Sequence, residues 1–305
     1  MGADEPLAVR AKAWVMLAKA QSTGSYALPV LVGLSWLPVA RCSADGIVMT
    51  LLGAGGVFIA TSVLDDVQGR RDGSDAANYR QPGYQRSLAN KPLLSDVIML
   101  RRAWGFAVTA WLWGALSWCV LIARAPARPT AVLALVAGLV IVVPHYSWGL
   151  RLSYRGYGEV VMMYFAASLV IAAPLLAGAR PTGHLVMQAV LVGAWYVTLN
   201  SYLNTVDMSG DRTAGRRTLA VRLGPSGNRR YLALLAIGDL TLTFGVIATD
   251  RDPGWDATVI ATGLALRLWL AYRFQRTSDA RGAGKRYWPL FHVGCLSLIL
   301  TNTCS

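Results

Sequence analysis

"MTLLGAGGVFIATSVLDDVQGRRDGSD", Met49 to Asp75, decides the fold. Its first sixteen residues carry no charge and suit lipid, and it then turns abruptly to carboxylates and arginines. Runs of about 20 apolar residues are long enough to cross a bilayer, and the chain repeats them near 25–41, 46–64, 103–123, 130–148, 159–178, 185–204, 230–249, 254–273 and 286–302. Of its 305 residues 54% are hydrophobic and only 15% charged, with a mean hydropathy of +0.42. A soluble domain carries nearer a quarter of its residues charged. The reading is an all-α, polytopic membrane helical bundle of nine transmembrane helices, one domain over 1–305. Within the eighth run, Arg267 needs a membrane face or a polar cavity.

The net charge of +13 raises the question of nucleic acid, but its distribution answers it. Segment 65–102 holds Arg70, Arg71, Arg80, Arg86, Lys91, Arg101 and Arg102; segment 205–229 holds Arg212, Arg216, Arg217, Arg222 and Arg229. Loops on the other side carry two basic residues at most. That is the positive-inside asymmetry. It needs no polyanionic partner, and it places the N-terminus and both polar segments on the cytoplasmic side of the cell membrane. Residues 1–24 lack the apolar core and cleavage site of a secretory signal. Cys42, Cys119, Cys295 and Cys304 lack metal spacing and read as free thiols.

Chemistry concentrates in the two cytoplasmic segments. In "NTVDMSGDRTAGRRTLAVRLG", Asn204 to Gly224, Asp207 and Asp211 lie four apart and share a helix face. Like charges at that spacing repel, and a cation between them removes the penalty. Hard carboxylate oxygens suit Mg²⁺, which takes one or two carboxylates and completes its shell from substrate phosphates. Asn204, one turn earlier, adds a carbonyl oxygen, and Arg212, Arg216 and Arg217 follow as phosphate forks. The opening stretch repeats the logic. Asp65 and Asp72 are seven apart on one stripe with Gln68 between them, and Asp66 points to a neighbouring face. Asp75 follows one turn later if the helix survives Gly73. Arg86 and Lys91 add positive charge. In "YSWGLRLSYRGYGE", Tyr146 to Glu159, Arg151 and Arg155 form a third cationic face. The expected metal ligands are therefore Asp65, Asp66, Gln68, Asp72, Asn204, Asp207 and Asp211, with Arg86, Lys91, Arg151, Arg155, Arg212, Arg216 and Arg217 for a diphosphate. "GAGG", 53–56, lacks a strand–turn–helix context and reads as close helix packing.

These residues resemble a known family. Asp207, Asp211, Gly215, Arg217, Thr218 and Leu223–Gly224 follow the second aspartate motif of the UbiA superfamily of intramembrane prenyltransferases. "YSWGLR" is similar to the family's Tyr-Ser stretch, and "KPL", 91–93, stands where the family has Arg-Pro-Leu. The family's first motif reads N-D-x-x-D-x-x-x-D. In one register Leu64 replaces Asn, Asp65 and Asp72 are kept, and Gln68 replaces the middle Asp; in the other, Asp65 and Asp66 take the first two places and Gly69 and Gly73 the others.

The resemblance implies an all-helical fold that binds prenyl diphosphate through Mg²⁺ and catalyses through Asp65, Asp72, Asp207 and Asp211. It implies transfer of the prenyl group to an aromatic, quinonoid or other small acceptor. A terpene cyclase on the same scaffold is the alternative, and a non-enzymatic transporter is a third reading.

Overall fold

A computed structural model describes residues 6–38, 42–80, 87–88, 91–249 and 255–304. Among them there are helices and no strand. Eleven α-helices follow in order: α1 (Leu7–Leu17), α2 (Gly24–Leu34), α3 (Ala44–Asp72), α4 (Ser74–Tyr79), α5 (Leu100–Arg124), α6 (Thr130–Ile141), α7 (Gly158–Leu176), α8 (Gly183–Thr213), α9 (Leu219–Thr249), α10 (Trp255–Thr277) and α11 (Ala280–Cys304). Each of the nine apolar runs overlaps one helix from α2, α3 and α5 to α11; α1 and α4 are additional. Four helices, α3, α5, α7 and α9, are long and apolar enough to cross a membrane.

Local chemistry sets the ends. Ser43 caps α3 by accepting a hydrogen bond from the Gly46 amide at 3.0 Å, and Thr182 caps α8 through the Leu185 amide at 3.1 Å, each satisfying an N–H the helix leaves orphaned. Gly73 ends α3 in the left-handed region at φ 80°, which glycine adopts without a Cβ penalty. The continuation through Gly73 does not occur, and the chain restarts as α4. Within α9, Gly224 at φ 66° interrupts the helix just before Pro225.

α3 has 29 residues and α8 has 31. At a rise of about 1.5 Å per residue, each is some 15 Å longer than a hydrocarbon layer of about 30 Å. Their C-terminal turns carry Asp65 to Asp72 and Asp207 to Asp211.

α8 sits centrally, touching α2, α4, α7, α9 and α11, while α3 packs chiefly on α5. The apolar windows of α3 and α7 are 61% and 67% buried against 22% for α5 and α9, so the former pair is interior and the latter pair forms the rim. "GAGG" does pack closely: a Cβ on Gly56 would stand 2.6 Å from Ala110 O and from Gly114 Cα of α5. A smaller apolar cluster joins Ala13 and Leu17 of α1 to Val63, Leu64, Val67, Leu93, Ile98, Ala103 and Ala107 beside the ends of α3 and α5.

Arg267 is buried in the bundle and paired with a carboxylate. It is 3% exposed, and its Nε donates to Asp239 Oδ2 at 2.7 Å.

Candidate active site

A cavity of about 280 Å³ opens between α3, α7, α8 and α11, toward the C-terminal ends of α3 and α8. Phe58, Phe165, Tyr196, Leu199 and Met162 line it on one side; Lys19, Asp65, Asp66, Lys91, Asn204 and Asp207 line it on the other. One space thus joins an apolar, ring-walled part to a charged part.

Asp65 and Asp66, adjacent in sequence, point about 100° apart around α3 and meet different partners. Asp66 is 2% exposed and takes Lys91 Nζ at 2.6 Å on one oxygen and Lys19 Nζ at 2.8 Å on the other. Lys19 holds its place in the left-handed region, at φ 54°, a conformation costing roughly 1 kcal/mol for an L-residue. Lys91 Nζ also reaches Asp75 at 2.8 Å. Burial acts against the Lys91 charge, but Asp66, Asp75 and Asp65 outweigh it and hold the ammonium well above its ordinary range. Burial, together with the Asp66 and Asp65 charges, pushes the Asp75 carboxyl up to about 6 despite Lys91.

Asp65 faces the other side. Its Oδ1 accepts from Ser147 Oγ and, at 2.8 Å, from Arg216 Nη2. Arg216 is 8% exposed and joins four elements. It lies 3.8 Å from Asp211, donates to Ser74 Oγ at 3.3 Å and to Ser147 Oγ at 3.2 Å, and stacks 4.4 Å from the centre of the Tyr154 ring. Burial disfavours its charge, and Asp65 and Asp211 more than offset that, so the guanidinium stays firmly protonated. Asn78 Nδ2 donates to Asp211 at 3.2 Å. Gly210 allows this approach, since a Cβ there would overlap the Asn78 side chain.

The structure distributes the sequence-predicted residues unevenly. Asp65, Asp66, Lys91, Asn204 and Asp207 line the cavity; Asp211 and Arg216 stand behind its wall. Gln68 is buried on α3 and does not line it. Asp72 turns toward the same segment as Asp65, accepting from the Tyr154 hydroxyl and from the Ser74 amide at 3.0 Å, and it also stays outside the cavity. Arg151, Arg155, Arg212 and Arg217 are exposed and line no part of it. Arg86 lies outside the described residues. Four participants were absent from the sequence-based set: Lys19, Asp75, Asn78 and Ser147. Two of them carried a signal: Asp75 in its place one turn after Asp72, and Ser147 as the serine of the Tyr-Ser stretch in "YSWGLR".

Among the described residues no three Asp, Glu, His or Cys side chains converge as a metal cage. Mg²⁺ requires no such cage: it takes one or two carboxylates and fills its shell with phosphate oxygens and water. Asp65 and Asp207 line the same cavity as Asn204, whose Oδ1 no donor among the described residues occupies. This hard-oxygen set fits the ion. Asp66, with both oxygens on ammonium groups, is a counter-ion for Lys19 and Lys91.

The UbiA prenyltransferase family model matches residues 26–295. Solved structures share the fold. A UbiA homolog from Archaeoglobus fulgidus bound to GPP and Mg²⁺ aligns with a TM-score of 0.67 at 14% identity, over 95% of this chain and 99% of that one. A digeranylgeranylglyceryl phosphate synthase aligns with a TM-score of 0.64 at 13% identity, over 97% and 99%. The apo UbiA homolog from Aeropyrum pernix K1 gives 0.62 at 15%, over 92% and 96%. No curated protein sequence matches.

Proposed function

The chain belongs to the UbiA prenyltransferase family, and from that premise we propose that it is a Mg²⁺-dependent membrane enzyme that ionises an allylic prenyl diphosphate and passes the prenyl group to an aromatic, quinonoid or other small acceptor. The observation that carries this reading is the single cavity with carboxylates and two ammonium groups at one end and aromatic and aliphatic side chains at the other. A diphosphate head with a hydrocarbon tail has the same two-part character.

Asp65, Asp207 and Asn204 would hold the ion, and Mg²⁺ when bound supplies charge against the departing diphosphate oxygens. Lys19 and Lys91 lie at the same end and add preorganised positive charge where negative charge develops. The C1–O bond breaks with its electron pair going to the diphosphate. Phe58, Phe165 and Tyr196 enclose the allylic cation and exclude water, and aromatic faces attract a cation within about 6 Å. An electron pair on the acceptor forms the new bond to C1, and the attacked atom loses its proton.

The ring-rich wall also favours a second reading, cyclisation, in which a double bond of the substrate itself attacks the cation. Transport is disfavoured because the carboxylates sit toward the C-terminal ends of α3 and α8, past their apolar runs, whereas transport sites lie near the midplane. We further place nine crossings in the membrane with the site on the cytoplasmic side, supported by the basic segments flanking it.

The test is incubation of purified protein with Mg²⁺ and C10 to C25 diphosphates, with and without a hydroxylated aromatic acceptor. A prenylated acceptor supports the transferase; a cyclic hydrocarbon or alcohol formed without acceptor supports the cyclase. EDTA is expected to stop turnover and Mg²⁺ to restore it. Turnover unchanged after thorough demetallation removes the ion from the reading.

A further inference from the structure

Glu159 is a buried carboxylate that the chemistry above does not use. It lies in the first turn of α7, 7% exposed, and is not among the cavity-lining residues. Its Oε1 accepts a hydrogen bond of 3.1 Å from Asn204 Nδ2. Asn204 itself lines the cavity one helical turn before Asp207. A carboxamide has one donating and one accepting end, whereas an ionised carboxylate only accepts. Flipping Asn204 would set its oxygen against an oxygen of the ionised carboxylate, so ionised Glu159 holds Asn204 in one orientation. With Nδ2 held on the protein side, Oδ1 is left for the cavity. Partners that orient a metal ligand in this way commonly govern affinity nearly as strongly as the ligands.

We propose that Glu159 is a positioning residue that, through Asn204, presents a carboxamide oxygen to a divalent cation in the cavity and so sets the affinity for that cation. This rests on the reading of the cavity as a metal–diphosphate site. In the sequence the segment containing Glu159 stands out for its arginines and its Tyr-Ser stretch, and not for the carboxylate itself. The hydrogen bond spans 45 positions, and no local pattern announces it.

The experiment is Mn²⁺ binding to the full chain in detergent, read by electron paramagnetic resonance in the presence of inorganic pyrophosphate. Glu159→Leu is expected to weaken Mn²⁺ binding about tenfold, and Asn204→Ala by a similar factor. The double variant should be no weaker than either single one, because both remove the same oxygen. In turnover the Mg²⁺ requirement of Glu159→Leu should rise while its rate at saturating Mg²⁺ changes little. Where Glu159→Leu fails to fold, Glu159→Gln carries the test. Its amide accommodates both Asn204 orientations, so affinity should fall about twofold, and not at all in the Asn204→Ala background. Wild-type affinity in Glu159→Leu, or effects that multiply in the double variant, overturn the positioning role alone. Failure of the wild type to bind Mn²⁺ under these conditions overturns the metal-site reading and this role with it.

Discussion

Asp65 and Asp66 show how one step along a helix separates two roles. The Asp65 side chain is 34% exposed and shared between Arg216 and the cavity, whereas Asp66 is enclosed by two ammonium groups. Asp65→Asn should lower turnover by about a hundredfold, the scale of losing one preorganised electrostatic contact, with little loss of stability. Asp66→Asn should instead cost about 3 kcal/mol of stability, since it leaves buried cations uncompensated. Asp72, which the shared stripe ranked beside Asp65, faces Tyr154 outside the cavity, and Asp72→Asn should be the mildest of the three. Single-turnover rates and melting curves on the same samples check this order; a silent Asp65→Asn would refute it. Asp75 yields a pH signature. With its carboxyl at about 6 rather than 3.8, the native chain between those values binds a proton that the unfolded chain has released. Stability from this group therefore falls as pH rises through that window and levels off above it. Melting temperatures of wild type and Asp75→Asn should diverge in favour of Asn between about pH 4.5 and 7. A constant difference across that range would contradict the shifted carboxyl.

At the scale of elements, the contact of α3 with α5 rests on glycine at both partners. A Cβ on Gly114 would stand 2.9 Å from Val57 N and 3.1 Å from Gly53 O, backbone atoms that move only with their helix. Gly105, on the same helix, has nothing within 4 Å. Gly114→Ala should therefore lose about 1–3 kcal/mol through overpacking, while Gly105→Ala should be neutral or gain up to about 1 kcal/mol of helix propensity. Denaturation in mixed micelles measures both, and equal effects would show that this crossing is not tightly packed. Each apolar run predicted from the sequence meets a helix because a long apolar stretch is a signal in its own right. α1 and α4 escaped notice because a short helix carries no such run and depends on tertiary packing, here Ala13 and Leu17 against the ends of α3 and α5. The same reason divides the site. Its carboxylates stand in visible pairs, but Lys19 meets Asp66 across 47 positions, Ser147 meets Asp65 across 82, and Asn78 meets Asp211 across 133. Such partners are chosen by how the helices pack, and sequence spacing does not reveal them. The exposed arginines err the other way: their charge and spacing suggested phosphate forks, while their place in the fold turns them to solvent.

Across the molecule, the buried ion pairs of the described residues gather in two places with different tasks. One is the cluster at the C-terminal ends of α3 and α8, where Asp65, Asp66 and Asp207 border an open cavity. The other is Asp239 on α9 with Arg267 on α10, which does not line that cavity. Asp239 Oδ1 also accepts from Trp195 Nε1 at 2.7 Å and Thr243 Oγ1 at 3.1 Å, and the Arg267 guanidinium stacks 4.3 Å from the centre of the Trp195 ring. The pair thus joins α9 and α10 to the central α8, which supplies Trp195 to both. A charge deep in an apolar bundle is tolerated when paired, and removing one partner of such a pair costs about 3–5 kcal/mol. Replacing both is far milder, because no uncompensated charge remains. Asp239→Ala and Arg267→Ala should each destabilise the protein by that amount, while the Asp239→Ala, Arg267→Met double variant should lie closer to wild type than either. Turnover per folded molecule should be retained in the double variant, since neither residue lines the cavity. Denaturation curves and specific activity measured together decide the matter. A double variant that folds well but has lost activity would tie this second cluster to the chemistry of the first; retained activity would leave it a fastening of the bundle, independent of the reaction carried at the other end.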